Sequence, residues 1–126
     1  MAFEEDVLDI SALVSADLSA YQYHFVKMSA DNTITPVTAV TDVIIGVLQN
    51  KPTASGQVAR VRVYGVTRVV AGNTLTAGDL IGSHTDGHAL PKTVNKNRYA
   101  GICVEGAAAS TNTGTVMLFG PSTISV

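Results

Sequence analysis

The sequence predicts an all-β protein, and three observations predict it. Apolar runs recur between turn signals at the roughly 8–12-residue spacing of all-β chains. β-Branched residues and glycines are spread along the whole length, and no helical period of about 3.6 residues is sustained anywhere. Third, the second half repeats the plan of the first at an offset of 55 residues without a gap. Asp31-Asn32 falls on Asp86-Gly87, Pro36 on Pro91, and Gly46-Val47 on Gly101-Ile102. Ala54-Ser55 falls on Ala109-Ser110, and Val61-Arg62-Val63-Tyr64-Gly65 on Val116-Met117-Leu118-Phe119-Gly120. Pairing residues 14–65 with 69–120 gives 10 identities in 52 positions, and the matched glycines, proline and Asp turns lie between apolar runs, where backbone geometry restricts residue choice.

The organisation expected from this is an N-terminal arm, residues 1–12, ahead of one β domain, 13–126, built of pseudo-repeats 13–65 and 66–120. The arm is acidic and apolar together. Phe3 and Val7 would share a face if it were helical, and an extended arm is equally open. In the first repeat, Tyr23–Met28 reads as a strand, Ser29–Asn32 as a turn and Thr33–Thr38 as the return strand, with Pro36 favouring an edge or bulge. Val43–Leu48 is the most apolar run and reads as a central strand. Val58–Tyr64 alternates, so Val61 and Val63 face one way and Arg60, Arg62 and Tyr64 the other. In the second repeat, Val66–Ala71 opens the unit, and Asp86-Gly87 suits a type I′ hairpin turn. Tyr99–Val104 is the second central strand, and Thr115–Phe119 closes the unit.

Composition narrows the function. Only 14% of the 126 residues are charged while 46% are hydrophobic, which implies either an unusually large buried fraction or further surface buried against other subunits. The net charge of −2 leaves no overall footprint for nucleic acid. A single cysteine, Cys103, excludes an intrachain disulfide, and its apolar surroundings predict a buried thiol. No apolar stretch reaches the roughly 18 residues of a membrane span. The N-terminus has no signal-peptide pattern, so synthesis in the cytoplasm is expected.

Two clusters carry candidate chemistry. His84, Asp86 and His88 have a metal-like composition, but Asp86-Gly87 is what a hairpin needs, and Ser29 and Thr33 stand at the two histidine positions of the first repeat. No metal or other cofactor is expected. Arg60, Arg62, Arg68 and Tyr64 form a basic face with an aromatic on it, a candidate subunit or partner interface able to meet an acidic protein segment. Nucleophile–base arrangements and phosphate loops are missing from the sequence, so an enzyme, or a small-molecule substrate, is not expected.

The run Leu75-Thr76-Ala77-Gly78-Asp79-Leu80-Ile81-Gly82, followed by Asp86-Gly87-His88-Ala89 and Ala100-Gly101-Ile102, resembles the small capsid decoration, or cement, proteins of tailed bacteriophages. The likeness covers residues 65–120, and 13–65 more loosely through the repeat. It implies a compact β-sandwich or barrel, of β-tulip or β-clip kind, that forms a homotrimer on the outer surface of the phage head. There it would bind the major capsid protein and stabilise contacts between its subunits. An arm of this kind often touches the capsid in such families, which makes Phe3, Glu4, Glu5, Val7, Leu8 and Ile10 capsid-contact candidates. Removing residues 1–12 is then expected to leave a folded oligomer with weakened docking. No active-site residues carry over. The alternative is a carbohydrate- or receptor-binding head-fibre or tail appendage, which would gather its tyrosines on one platform; a β-clip domain detached from an enzyme is the third reading.

Overall fold

A computed structural model describes residues 7–91, 98–108 and 111–124. Nine strands form one mixed sheet: β1 (Leu8–Val14), β2 (Phe25–Ala30), β3 (Thr33–Pro36), β4 (Gly46–Leu48), β5 (Val58–Val70), β6 (Leu80–Ser83), β7 (Ala89–Pro91), β8 (Arg98–Glu105) and β9 (Thr113–Ile124). A single 3-10 turn, Ser19–Tyr21, is the one helical element among the described residues. The all-β expectation is what the structure shows.

The sheet closes on itself twice. Its order is β1-β3-β2-β4-β5-β9-β8-β6-β7, and β1 also pairs with β5, so the first five strands make a ring. Beyond it, β5-β9-β8-β6-β7 make a second ring, joined by a parallel bridge from Ala71 to Ala89. Strand β5 belongs to both. Residues up to Tyr64 pair with β1 and β4, and residues from Gly65 onward pair with β9. Gly65 itself has a φ of 108°, a conformation open chiefly to glycine, at the changeover. The division between residues 65 and 66 therefore falls inside one continuous strand, because a single strand can hydrogen-bond to different partners along its length.

The pairings of the two halves coincide after a shift of 55 residues. Val26 opposes Pro36 and Ile81 opposes Pro91; Phe25 opposes Val47 and Leu80 opposes Ile102; Leu48 opposes Val61 and Cys103 opposes Val116. The turns follow the same rule. Of the seven positive-φ residues described, six form pairs 55 apart: Tyr23 with Gly78, Asn32 with Gly87, and Gly56 with Thr111. Tyr23 N donates to the Leu48 carbonyl at 2.7 Å, as Gly78 N does to that of Cys103 at 2.8 Å.

One local expectation needs correction. At the β6–β7 hairpin only Gly87 has positive φ, and Gly87 N donates to the His84 carbonyl at 3.2 Å. Asp86 stays at negative φ, so the turn is a type I turn followed by a left-handed glycine, and not type I′. A three-residue loop needs only its last residue left-handed, and Asn32 meets that need in the first half with a φ of 50°.

Alternation along β5 is uninterrupted. Ala59, Val61, Val63, Gly65, Thr67 and Val69 are buried, while the residues between them are exposed or half-buried. Inside the first ring, Val14, Val26, Ile34, Leu48, Val61 and Val63 pack together. Their partners 55 residues on, Val69, Ile81, Ala89, Cys103, Val116 and Leu118, fill the second. Cys103 is thus a core residue, and burial pushes its thiol pKa up, with the Asp79 and Glu105 carboxylates adding to the effect. Gln49 donates to Thr67 Oγ1 at 2.7 Å and to the Val47 carbonyl at 3.1 Å, a buried polar link between β4 and the second part of β5.

Candidate interaction surfaces

The basic face forms as the alternation of β5 requires, but its charges meet this chain's own first strand. β1 runs antiparallel to β5 with Asp9 opposite Arg62. Arg62 Nε donates to Asp9 Oδ1 at 2.9 Å and Nη2 to Oδ2 at 3.3 Å, a two-point pair, while Nη1 donates to the Val66 carbonyl at 3.0 Å. Arg60 reaches the same carboxylate at 3.4 Å. Arg68 lies over the Tyr23 ring, 5.6 Å from its centre, a cation–π placement. Arg60 and Tyr64 remain exposed; Arg62 is mostly covered.

Of the capsid-contact candidates, Phe3, Glu4 and Glu5 lie outside the described residues. Val7, Leu8 and Ile10 are exposed, the last two on β1. β1 is no loose arm over this part. It pairs with β5 from Leu8 to Leu13, and Ala12 is buried in the first ring. A truncation that probes an arm without removing a strand therefore ends at Val7.

The histidine turn comes together as a hydrogen-bonded loop. Asp86 Oδ2 lies 2.8 Å from His88 Nδ1, and Oδ1 accepts from the His88 backbone N–H at 3.1 Å. His84 Nδ1 is 3.4 Å from Asp86 and 3.1 Å from Thr85 Oγ1. On its inner side His88 stacks at a tilt on His24, with ring centres 4.6 Å apart. These contacts dock the β6–β7 hairpin against the first ring, where Phe25 N donates to the Gly87 carbonyl at 2.8 Å.

An open groove of about 580 Å³ runs beside β2, β3 and the Thr38–Ile45 loop. Its charges satisfy one another. Lys27 Nζ is 2.9 Å from Asp42, whose carboxylate also accepts from the backbone N–H groups of Thr38 and Ala39 at 3.0 Å each. The Lys27 hydrogen bond, with those of Thr38 and Ala39, holds the Asp42 pKa down at about 2 against the opposing effect of burial.

One surface was not singled out from sequence. Leu80 on β6 opposes Ile102 on β8, Ile102 opposes Met117 on β9, and Met117 opposes Val66 on β5. This row crosses four strands on the outside of the second ring, with exposed Val104 and Phe119 beside it. The signal was present: Met117 occupies the position of Arg62, so an outward charge in one half is an outward thioether in the other.

A family model described as "Phage cement protein" matches residues 12–118. The chain belongs to this family. It is accordingly a structural phage protein associated with the capsid, as the resemblance implied. No curated protein matches it. Among solved structures, this cement protein is similar to one titled "The crystal structure of head fiber gp8.5 N base in bacteriophage phi29". The two share 22% identity over 90% of this chain and 94% of the other, with a TM-score of 0.64, a likeness of fold.

Proposed function

We propose that this cement protein decorates the outer surface of the phage head as a homotrimer, binding the major capsid protein and stabilising contacts between its subunits. The family match over residues 12–118 carries the reading. The surface chemistry supports it. The charged clusters are closed by partners within the chain, and much of what faces outward is apolar side chain: Leu8, Leu13, Val58, Val104, Met117 and Phe119. Such a surface suits broad, many-copy contacts, in which stabilisation accumulates by multiplicity. Val7, Leu8 and Ile10, together with Phe3, Glu4 and Glu5, are proposed to meet the capsid. Arg60, Arg62, Tyr64 and Arg68 are proposed to line a protein interface, with Arg60 and Tyr64 offering the exposed groups. Assembly would place the protein on the virion after synthesis in the host cytoplasm.

The test is co-sedimentation of the purified protein with expanded, undecorated capsids of its own phage. Saturable binding at a fixed ratio to the major capsid protein, with a raised temperature of capsid disruption, is expected. Failure to bind would overturn the reading. The likeness to a head fibre base favours one alternative, an appendage module that binds carbohydrate or a receptor. Binding of host-cell surface glycan by the isolated protein would move the function there.

A further inference from the structure

One wall on the outside of the first ring is not solvated. Phe25 and Val47, opposite one another on β2 and β4, are fully buried, and with Val37 and Ile44 they join the core of the second ring. A shift of 55 residues carries Phe25 and Val47 onto Leu80 and Ile102, where Leu80 is exposed and Ile102 half-buried. Leu80 is 37% exposed and Met117 41%, while Val104 and Phe119 are 51% and 42% exposed. The Phe25–Val47 part of the wall is thus buried in one half of the molecule and its counterpart open in the other, whereas Tyr64 is exposed as its counterpart Phe119 is.

The covering parts also have counterparts. Over Phe25 sit the β6–β7 turn, through the Gly87 carbonyl, and the end of β5, where Val70 N donates to the Tyr23 carbonyl at 3.1 Å. The residues 55 positions earlier are Asn32, at the β2–β3 turn, and Ser15, just past β1. Asn32 lines a shallow depression at this end of the first ring together with Ser11, Ala12, Leu13 and Val58, with Leu13 41% and Val58 56% exposed.

We propose that the Leu80–Ile102–Met117 face docks a second copy of this chain, which covers it with the Leu13–Asn32–Val58 end of its first ring. The contact between the rings within one chain is the template, and the contact between chains continues it. Such an interface is heterologous, head to tail: each molecule offers one face of each kind, and closure gives a cyclic oligomer. Self-association belongs to the function proposed above, on which this assignment rests; the pair of faces is new. A chain with 14% charged residues is consistent with two apolar faces buried on assembly.

Two variants and their mixture test it, by size exclusion with light scattering. Met117→Glu spoils one face and Val58→Glu the other; both positions are exposed, so an unchanged circular dichroism spectrum is expected, with melting lowered only by the loss of assembly. Val104→Lys and Leu13→Lys replace them if either fails to fold. The wild type should be a closed oligomer and each variant a monomer. An equimolar mixture should give a dimer and nothing larger, because the intact face of one variant meets the intact end of the other. An unchanged oligomer in either variant, or a mixture that stays monomeric, overturns the assignment while leaving capsid binding untouched. A monomeric wild type would overturn both the assignment and the homotrimer. If that monomer lost capsid binding on Met117→Glu, the face would belong to the major capsid protein.

Discussion

Gly46 and Gly101 occupy the same place in the two halves, each packed directly against a neighbouring strand. A Cβ on Gly46 would overlap the Arg62 carbonyl, and one on Gly101 the Met117 carbonyl. Backbone cannot swing aside as a side chain can, so either Gly→Ala change should cost about 1–3 kcal/mol or more, read as a lower denaturation midpoint. Thr111 presents the opposite case. It is β-branched at a φ of 71°, where the first half has Gly56 at 86°. Thr111→Gly should raise the melting temperature, by up to about 1 kcal/mol of stability, since glycine adopts this conformation without strain. His24 gives the fold a pH dependence. Burial, the largest influence, lowers its pKa below the ordinary 6.5; nearby His88 lowers it further, while the Gln22 carbonyl and Asp86 oppose. A site that favours neutral imidazole is fully stable above the unfolded value and loses stability as the pH falls below about 6.5. Melting should therefore drop across that range, and His24→Gln should remove most of the drop.

At the scale of elements, the Thr38–Ile45 loop hangs on one carboxylate. Asp42 accepts from Lys27 and from two backbone N–H groups, which keeps a three-residue strand, β4, reached by a long connection in register. Its pKa near 2 lies below the unfolded 3.8, so its contribution is present above about pH 4 and is lost as the pH falls through about 2. Asp42→Asn should cost about 1 kcal/mol at neutral pH, a figure kept small because the pair is partly solvated, and nothing in strong acid. Strand β1 sets the other element-level expectation. Deleting residues 1–7 should leave a folded domain with weaker capsid binding, measured by co-sedimentation. Extending the deletion through residue 12 removes the strand that closes the first ring and should unfold it, because Leu8 to Leu13 pair with β5 along their length.

For the whole molecule, a repeated unit with part of one face covered and its counterpart open leaves a question that a single chain cannot answer, and assembly can. Much of this was legible beforehand. Alternation in Val58–Tyr64 assigned the inward valines and outward arginines, since side chains on a strand have a period of two whatever the partner. The 55-residue register was readable at Pro36 and Pro91, and at Gly46 and Gly101, because turns and close backbone approaches admit few residue types. The phage family was carried by the Leu75–Gly82 and Asp86–Ala89 motifs. Other features depend on partners distant along the chain. No local pattern says that β5 changes sheet partners at Gly65, that Asp9 reaches across 53 residues to Arg62, or that Leu8–Val14 pairs as β1. Sequence alone determined the inward face, the repeat and the places of the turns, each set by backbone geometry within a few residues. The type of the Asp86-Gly87 turn and the start of β4 at Gly46 were not among them. Only the tertiary structure decided which outward faces are covered, since Phe25 and Leu80 are alike as residues and differ in what lies against them.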